Sequence, residues 1–226
     1  MLSTDQPKPA QKSVMGLTSD DGLHVSILRL PASAPLWYLV GLYMTLRKEV
    51  FIAQKEWSLW QAEDMEFEQY DTFDTVYVIA HRDGAVLGGG RLRRADQLTG
   101  TGSIIYSYMI RDAVLGMLPG LPTELCFEEP PTDKATWELT RFVSIGGAGV
   151  AALMLRAIND FLFSEGGKSC LCLGTPAFLR MARRVGWAVQ AVGPVCGNKD
   201  GRFLVFDCPI MDPATLPSHG INMRHQ

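Results

Sequence analysis

The sequence predicts a single α/β domain built on a mixed sheet. Three observations lead there. The stretch TVYVIAHRDGAVLGGGRLRR reads as two strands joined at Arg82-Asp83-Gly84, an antiparallel hairpin with turn chemistry. Strand–helix–strand patterns follow it, which bring parallel pairing into the same sheet. No internal repeat and no interior linker divides the chain.

Taken in order, residues 1–22 mix charge signs and lack an apolar core of signal-peptide length, so a poorly ordered tail is expected before a domain spanning 23–226. Then APLWYLVGLYMTLRKEVFIAQKEW repeats apolar residues at Leu36, Leu39, Val40, Tyr43, Leu46 and Val50, the period of a helix. SLWQAEDMEFEQYDTFD is acidic and aromatic without a period and reads as loop. The glycines at 88–90, inside the second strand of the hairpin, imply a bulge or a ligand pressed against the backbone. SIIYSYMI is a strand candidate, and GMLPGLPTELCFEEPPTDKA an exposed connection. TWELTRFVS reads as a strand. IGGAGVAALMLRAINDFLFSEGG supplies a glycine turn, a helix and a glycine stop. KSCLCLG is a short apolar strand. TPAFLRMARRVG has Thr175 to cap a helix, Pro176 at its first position and Gly186 at its end. WAVQAV and RFLVFD close the sheet.

Of the 226 residues, 47% are hydrophobic and 20% charged, ordinary for a globular domain long enough to bury a sizeable core. A net charge of −3 gives no bulk electrostatic footprint for nucleic acid. The five cysteines form no C-x-x-C pair, and the four histidines no H-E-x-x-H pattern. These features point to reduced thiols in a cytoplasmic protein with no metal site. No apolar run approaches the length of a membrane span, so neither a membrane nor a nucleic-acid partner is expected.

Charged residues in apolar surroundings are the candidates for chemistry. Arg47 and Phe51, four apart, share a helical face beside the apolar stripe. An arginine there ordinarily snorkels to solvent, and Trp57 ordinarily fills a core. Glu68 and Asp71 stand with Tyr70 and Phe73 where no helix solvates them. They read either as a solvated acidic loop or as a pocket for an ammonium or sulfonium cation. For Arg91, which ends the glycine run, the simplest role is a salt bridge. In WELTRF, Glu138 and Arg141 are three apart and on a regular strand point to opposite faces. Unless a bulge re-aims one of them, each needs its own partner, because either one buried unpaired costs on the order of several kcal/mol. Structural pairing and membership of a site are equal readings here. Gly146, Gly147 and Gly149 could cradle a pyrophosphate at a helix start or form a tight turn.

In order and spacing, RKEVF (Arg47, Phe51), Trp57, EQYD (Glu68, Asp71), Arg91 and WELTRF (Glu138, Arg141) together resemble the LuxI-type acyl-homoserine-lactone synthases, makers of bacterial quorum-sensing signals. The resemblance spans about residues 24–210. Glu68 departs from it, standing one methylene longer than the first aspartate of the family's D-x-[FY]-D signature. The resemblance implies a fold similar to the GCN5-type (GNAT) acyltransferases: a mixed sheet whose two central strands splay into a V, with helices on both faces. The cleft would open between the strand holding Glu138–Val143 and KSCLCLG. The implied enzyme acylates S-adenosylmethionine from an acyl thioester, on acyl carrier protein or CoA, then closes the lactone and releases methylthioadenosine. S-adenosylmethionine is a substrate there, and no cofactor is required.

By the same resemblance, Arg47, Phe51, Trp57, Glu68, Asp71 and Arg91 hold S-adenosylmethionine, while Glu138, the candidate base, and Arg141 are catalytic. Phe142 and Cys172 line the acyl pocket. Cys172 falls where relatives preferring 3-oxo chains carry threonine; a thiol is a poor donor, so a chain without a required 3-oxo group is expected. Arg180 and Arg184, four apart on FLRMARRVG, offer a basic face to an acidic carrier protein. Their other reading is a solvated face complementing the helix dipole. Oligomeric state leaves no signal. A GCN5-type N-acyltransferase using acyl-CoA is the alternative enzyme, but its Arg/Gln-x-x-Gly lead is missing, since Val143 and Ser144 stand three residues before Gly146 and Gly147. Against a non-catalytic S-adenosylmethionine-binding homologue stand the three arginines, Glu138 and Asp71.

Overall fold

The computed structural model describes residues 16–19, 21–198 and 201–216. Its first strands, β1 (Gly16–Thr18) and β2 (His24–Leu28), pair antiparallel. This corrects the expected tail of residues 1–22 at its end: Gly16–Thr18 already belong to the sheet, because Leu17 and Leu23 bury into the main core. Residues 1–15 and 20 of that tail lie outside the described residues.

Helix α1 (Tyr38–Arg47) follows the expected stripe, burying Leu39, Val40, Tyr43 and Leu46. From Lys48 to Gln54 it widens into π turns, a local unwinding often found at functional sites. The acidic stretch expected as loop contains a small hairpin, β3 (Gln61–Ala62) with β4 (Met65–Glu66). Next come β5 (Val76–Arg82) and β6 (Ala85–Arg94), the expected hairpin. Asp83 (φ 50°) and Gly84 (φ 80°) give its two-residue turn the primed geometry that matches strand twist. A second small hairpin joins β7 (Thr99–Thr101) to β8 (Ile104–Tyr106). The strand expected over SIIYSYMI ends there, and Met109–Val114 wind into α2. The physical reason lies in a distant residue: Glu138 accepts the first N–H groups of that helix.

Past the proline-rich connection run β9 (Thr136–Ser144), α3 (Gly147–Ser164), β10 (Ser169–Gly174) and α4 (Pro176–Arg184). At the start of α4, the Thr175 hydroxyl accepts the Phe178 N–H (3.3 Å), and Gly186 (φ 97°) follows its end. WAVQAV keeps only β11 (Gln190–Ala191) as strand. β12 (Cys196–Asn198), too short to show a period, pairs with β13 (Gly201–Pro209).

Among the described residues, nine strands form the main sheet in the order β1-β2-β5-β6-β9-β10-β13-β11, with β12 also on β13. Every pairing is antiparallel except β9 with β10. That parallel pair runs from Thr136↔Ser169 to Leu139↔Cys172 and stops, while β9 continues to Ser144. The sheet therefore splays at its centre. Val76, Val78, Leu92, Trp137, Leu139, Cys170 and Cys172 face α3, and the alternate residues Tyr77 and Ile79 face α1. Helices thus cover both faces. α3 is long and apolar enough to cross a membrane, yet ten of its residues are buried in this core.

Candidate active site

The glycine run and the bulge beside it shape the site. Gly89 pairs with Val143 and Arg91 with Thr140, so two residues of β9, Arg141 and Phe142, oppose Gly90 alone. Arg141 sits in the left-handed region (φ 54°), the usual mark of a bulge residue. The extra residue turns the Arg141 side chain onto the same face as Glu138 and Thr140, which settles the parity problem of WELTRF. Tyr43 secures the bulge by donating its hydroxyl to the Arg141 carbonyl (2.6 Å). A Cβ at Gly89 would enter the Tyr43 ring, and one at Gly88 would meet the Val143 carbonyl and the Met154 sulfur. The protein's own groups, rather than a ligand, press on these glycines.

Six ionic side chains then close a ring of alternating charge. Arg47 donates two hydrogen bonds to Asp71 (2.8 and 3.0 Å) and a third to Glu66. Glu66 also accepts from Arg141 (3.2 Å), and Arg141 donates to Glu68 (2.9 Å). Arg91 lies 2.6 Å from Glu68 and 3.3 Å from Asp71, which returns the ring to Arg47. Each acid bridges two arginines, and three positive charges meet three negative ones. Five members came from the sequence. Glu66 did not, although it is two residues before Glu68 and fully buried; the period-2 spacing was its one available signal. Arg47 is also fully buried, so the snorkelling expectation is corrected.

At Arg47, Arg91, Glu68 and Asp71 burial opposes the charge, and pairing outweighs it. For Asp71, burial alone would raise the carboxyl, but Arg91 and Arg47 hold it well below the usual range. Glu68 is likewise held low, by Arg141 and Arg91 against burial. The hydroxyl of Tyr77 (2.9 Å) and the Glu68 N–H (3.0 Å) complete the shell of Asp71. Two ring contacts are less well directed. Arg91 Nη1 and Nη2 and Glu68 Oε1 lie at ionic distance without hydrogen-bond alignment. Glu68, with its side chain 11% exposed, makes this the open corner.

Phe51 and Trp57 stack face to face, with centroids 5.0 Å apart, in and after the π turns. The Lys55 ammonium lies over both rings at 5.4 and 5.0 Å, so the pair already holds a cation. Tyr70 is buried against Arg91, whereas Phe73 is 82% exposed and no part of the site. Glu138 stands outside the ring. It is fully buried and accepts the N–H groups of Ile110 (2.7 Å) and Met109 (3.3 Å). Burial pushes its carboxyl up to about 7, against the opposing pull of those N–H groups and of Arg91 and Arg93. Arg141 Nη1 reaches the Met109 sulfur (3.7 Å), so the ring and Glu138 adjoin across one residue.

At the splay, Phe142 stacks on Phe178 (4.8 Å) and Phe178 meets Phe206 edge-on (5.4 Å). Cys172, opposite Phe206 on β13, is fully buried in the same apolar cluster, and burial drives its thiol well above the ordinary range. Arg180 and Arg184 are exposed on α4, away from the ring. Among the described residues, no cluster of three or more His, Cys, Asp or Glu is placed to hold a metal ion.

A mixed sheet splayed between β9 and β10, with charged groups and a buried carboxyl at the opening, is a GNAT-like fold. The chain belongs to the autoinducer synthase family, whose profile matches residues 40–213. It is 29% identical over 161 residues to an acyl-homoserine-lactone synthase of Ralstonia nicotianae, covering 66% of this chain and 71% of that one. In three dimensions it resembles the AHL synthase LasI, with a TM-score of 0.70 at 21% identity over 90% of this chain and 98% of LasI. It also resembles BjaI, a CoA-dependent acyl-homoserine lactone synthase solved with SAM and isopentyl-CoA. That likeness has a TM-score of 0.68 at 18% identity, over 87% and 84% of the two chains.

Proposed function

We propose that this protein makes an N-acyl-L-homoserine lactone from S-adenosylmethionine and an acyl thioester. The observation that carries the reading is the juxtaposition of the ionic ring, the cation-holding Phe51–Trp57 pair and the buried Glu138 at the mouth of the splayed sheet. S-adenosylmethionine brings a sulfonium, an ammonium and a carboxylate. The stacked aromatics suit the first, and the open Glu68–Arg91–Arg141 corner offers both signs to the others.

In the first step the α-amino nitrogen attacks the thioester carbonyl, the C–S bond breaks, and the thiol leaves with a proton. The amine titrates at about 7.7–8.0 and needs only a modest base. Glu138, poised at about 7, accepts its proton directly or through one water. In the second step the methionyl carboxylate attacks its own Cγ, forming the lactone C–O bond as the C–sulfonium bond breaks. Neutral methylthioadenosine departs. Opposite charges vanish in that step, so a site closed to water favours it. Arg47 and Asp71, fixed inside the ring, frame the pocket, and Arg91 and Arg141 present the carboxylate.

Phe142 and Cys172 line the apolar side where the acyl chain lies. A carrier protein would dock on Arg180 and Arg184 of α4, while CoA would need only the thioester end of the cleft. Incubation with S-adenosylmethionine and matched carrier and CoA thioesters, followed by mass analysis, tests the reading. Lactone and methylthioadenosine in equal amounts are expected. Acyl transfer without methylthioadenosine would favour a plain N-acyltransferase, and neither product would end the proposal.

A further inference from the structure

Among the described residues, Arg93 is the one fully buried arginine of the sheet outside the ionic ring. Among the described residues no carboxylate lies within ion-pair distance of it. Its fork is satisfied by neutral oxygens: Nε donates to the Ser107 carbonyl (2.7 Å), Nη1 to Thr72 Oγ1 (2.8 Å) and Nη2 to Thr99 Oγ1 (2.5 Å). A guanidinium keeps its proton even when buried. Its charge therefore enters a dry interior without a partner, an arrangement that costs stability.

Directly across the ladder from Arg93 stands Glu138, a buried carboxyl that, among the described residues, also lacks a salt bridge. The two side chains share a face of the sheet, and such cross-strand neighbours have Cβ atoms about 4.5–5.5 Å apart. They also grip one short segment from opposite ends of its polarity. Arg93 binds the carbonyl of Ser107, while Glu138 binds the N–H groups of Met109 and Ile110. Thus the entry to α2 is held between an unpaired cation and an unpaired acid, with a second buried acid, Asp112 of α2, accepting the Ser107 N–H, and with both Asp112 and Asp74 in the field of Arg93.

We propose that Arg93 is a positioning residue for the base: it acts through Glu138, holding α2 against it and supplying the field that lets its carboxylate exist in a dry site near neutral pH. This rests on the reading of Glu138 as the proton acceptor. Other groups face Glu138 too: Arg91 from β6, the Met109 and Ile110 N–H groups and Tyr108 from the α2 segment, Tyr70 from the acidic loop and Cys170 from β10. Of these, only Arg91 is a second cation, and Glu68 and Asp71 already engage it.

The test follows thiol release in single-turnover acylation, at saturating S-adenosylmethionine, from pH 6 to 8.5. R93Q keeps an amide donor toward the Ser107 carbonyl but removes the charge. Its acid limb is expected to move up by about one pH unit, with roughly tenfold slower acylation at pH 6.5 and recovery toward pH 8.5. R93K retains the charge, loses the fork, and should keep the wild-type limb even if its maximum rate falls. An R93Q limb at the wild-type position overturns the inference. So does an R93K limb displaced as far as that of R93Q, which would mark the fork and not the charge as the cause. Thermal melts establish that each variant is folded; if R93Q is not, R93M, which also removes the charge, takes its place with the same expected and overturning outcomes. E138Q separates the two layers: if it keeps wild-type acylation and the same acid limb, the base assignment falls and takes this inference with it. If E138Q abolishes acylation while R93Q leaves the limb unmoved, only the role of Arg93 falls.

Discussion

Glu66 accepts from Arg47 and Arg141 at once while its own side chain is closed to water. Replacing it with glutamine would leave two buried guanidinium groups each short of one counter-charge. Breaking such a buried pair typically costs about 3–5 kcal/mol. In a chain of this size each kcal/mol lowers the melting temperature by about 2–4 °C, so E66Q should melt on the order of 10 °C below wild type. E68D acts at the least buried corner, shortens one arm by a methylene, and should shift melting far less while weakening S-adenosylmethionine binding. Differential scanning calorimetry and binding calorimetry read the two effects separately. Equal melting of E66Q and wild type would mean that the ring is not the rigid frame described above.

At the scale of elements, legibility followed the range of the interaction that made each one. The 76–94 hairpin, α3 and α4 carry their own turn, cap and stop residues, and the structure keeps all three. Residues 109–114 do not, because the group that accepts their first N–H donors is Glu138 on another strand. Nor does the burial of Arg47 appear in its own helix, since Glu66 and Asp71 come 19 and 24 residues later. β1 and β12 are three residues each, below the length at which alternation shows. Five ring members share the order and spacing that carry the family resemblance, whereas Glu66 stands outside that pattern and is tied to the ring only by its contacts with Arg47 and Arg141. The role of α4 is an element-scale prediction. Arg180 and Arg184 are exposed one turn apart, with Arg183 beside them. If they meet an acidic carrier, R180E/R184E should raise KM for a carrier thioester severalfold and leave KM for the matching CoA thioester unchanged. Salt should raise only the carrier KM, through screening at a Debye length of about 8–10 Å. A salt-independent carrier KM would remove α4 from the docking surface.

Across the whole molecule, buried carboxyls pull stability in opposite directions with pH. Asp71 and Glu68 are held low in the fold, so their contribution is present above the unfolded values of about 3.9 and 4.3 and is lost as pH falls through their folded values. Glu138 has the reverse sign. Its folded value is raised to about 7, so between about pH 4.3 and 7 the native state binds the extra proton and stability declines as pH rises. These groups together predict a melting temperature that climbs from acid to near pH 5, then drifts downward toward pH 7.5. E138Q cannot ionise, so its profile should share the acid limb and drift downward less than wild type, with burial of Asp112 supplying the remainder. R93Q should carry that drift to higher pH, because it removes a cation that offsets the Glu138 charge. Parallel wild-type and E138Q profiles from pH 4.5 to 7.5 would refute the buried ionisation itself. The base reading requires the charged form that the fold stabilises least, so acylation should rise through the same pH interval in which the protein loses stability. Measured on one preparation, opposed slopes of melting temperature and acylation rate would locate both effects in a single carboxyl.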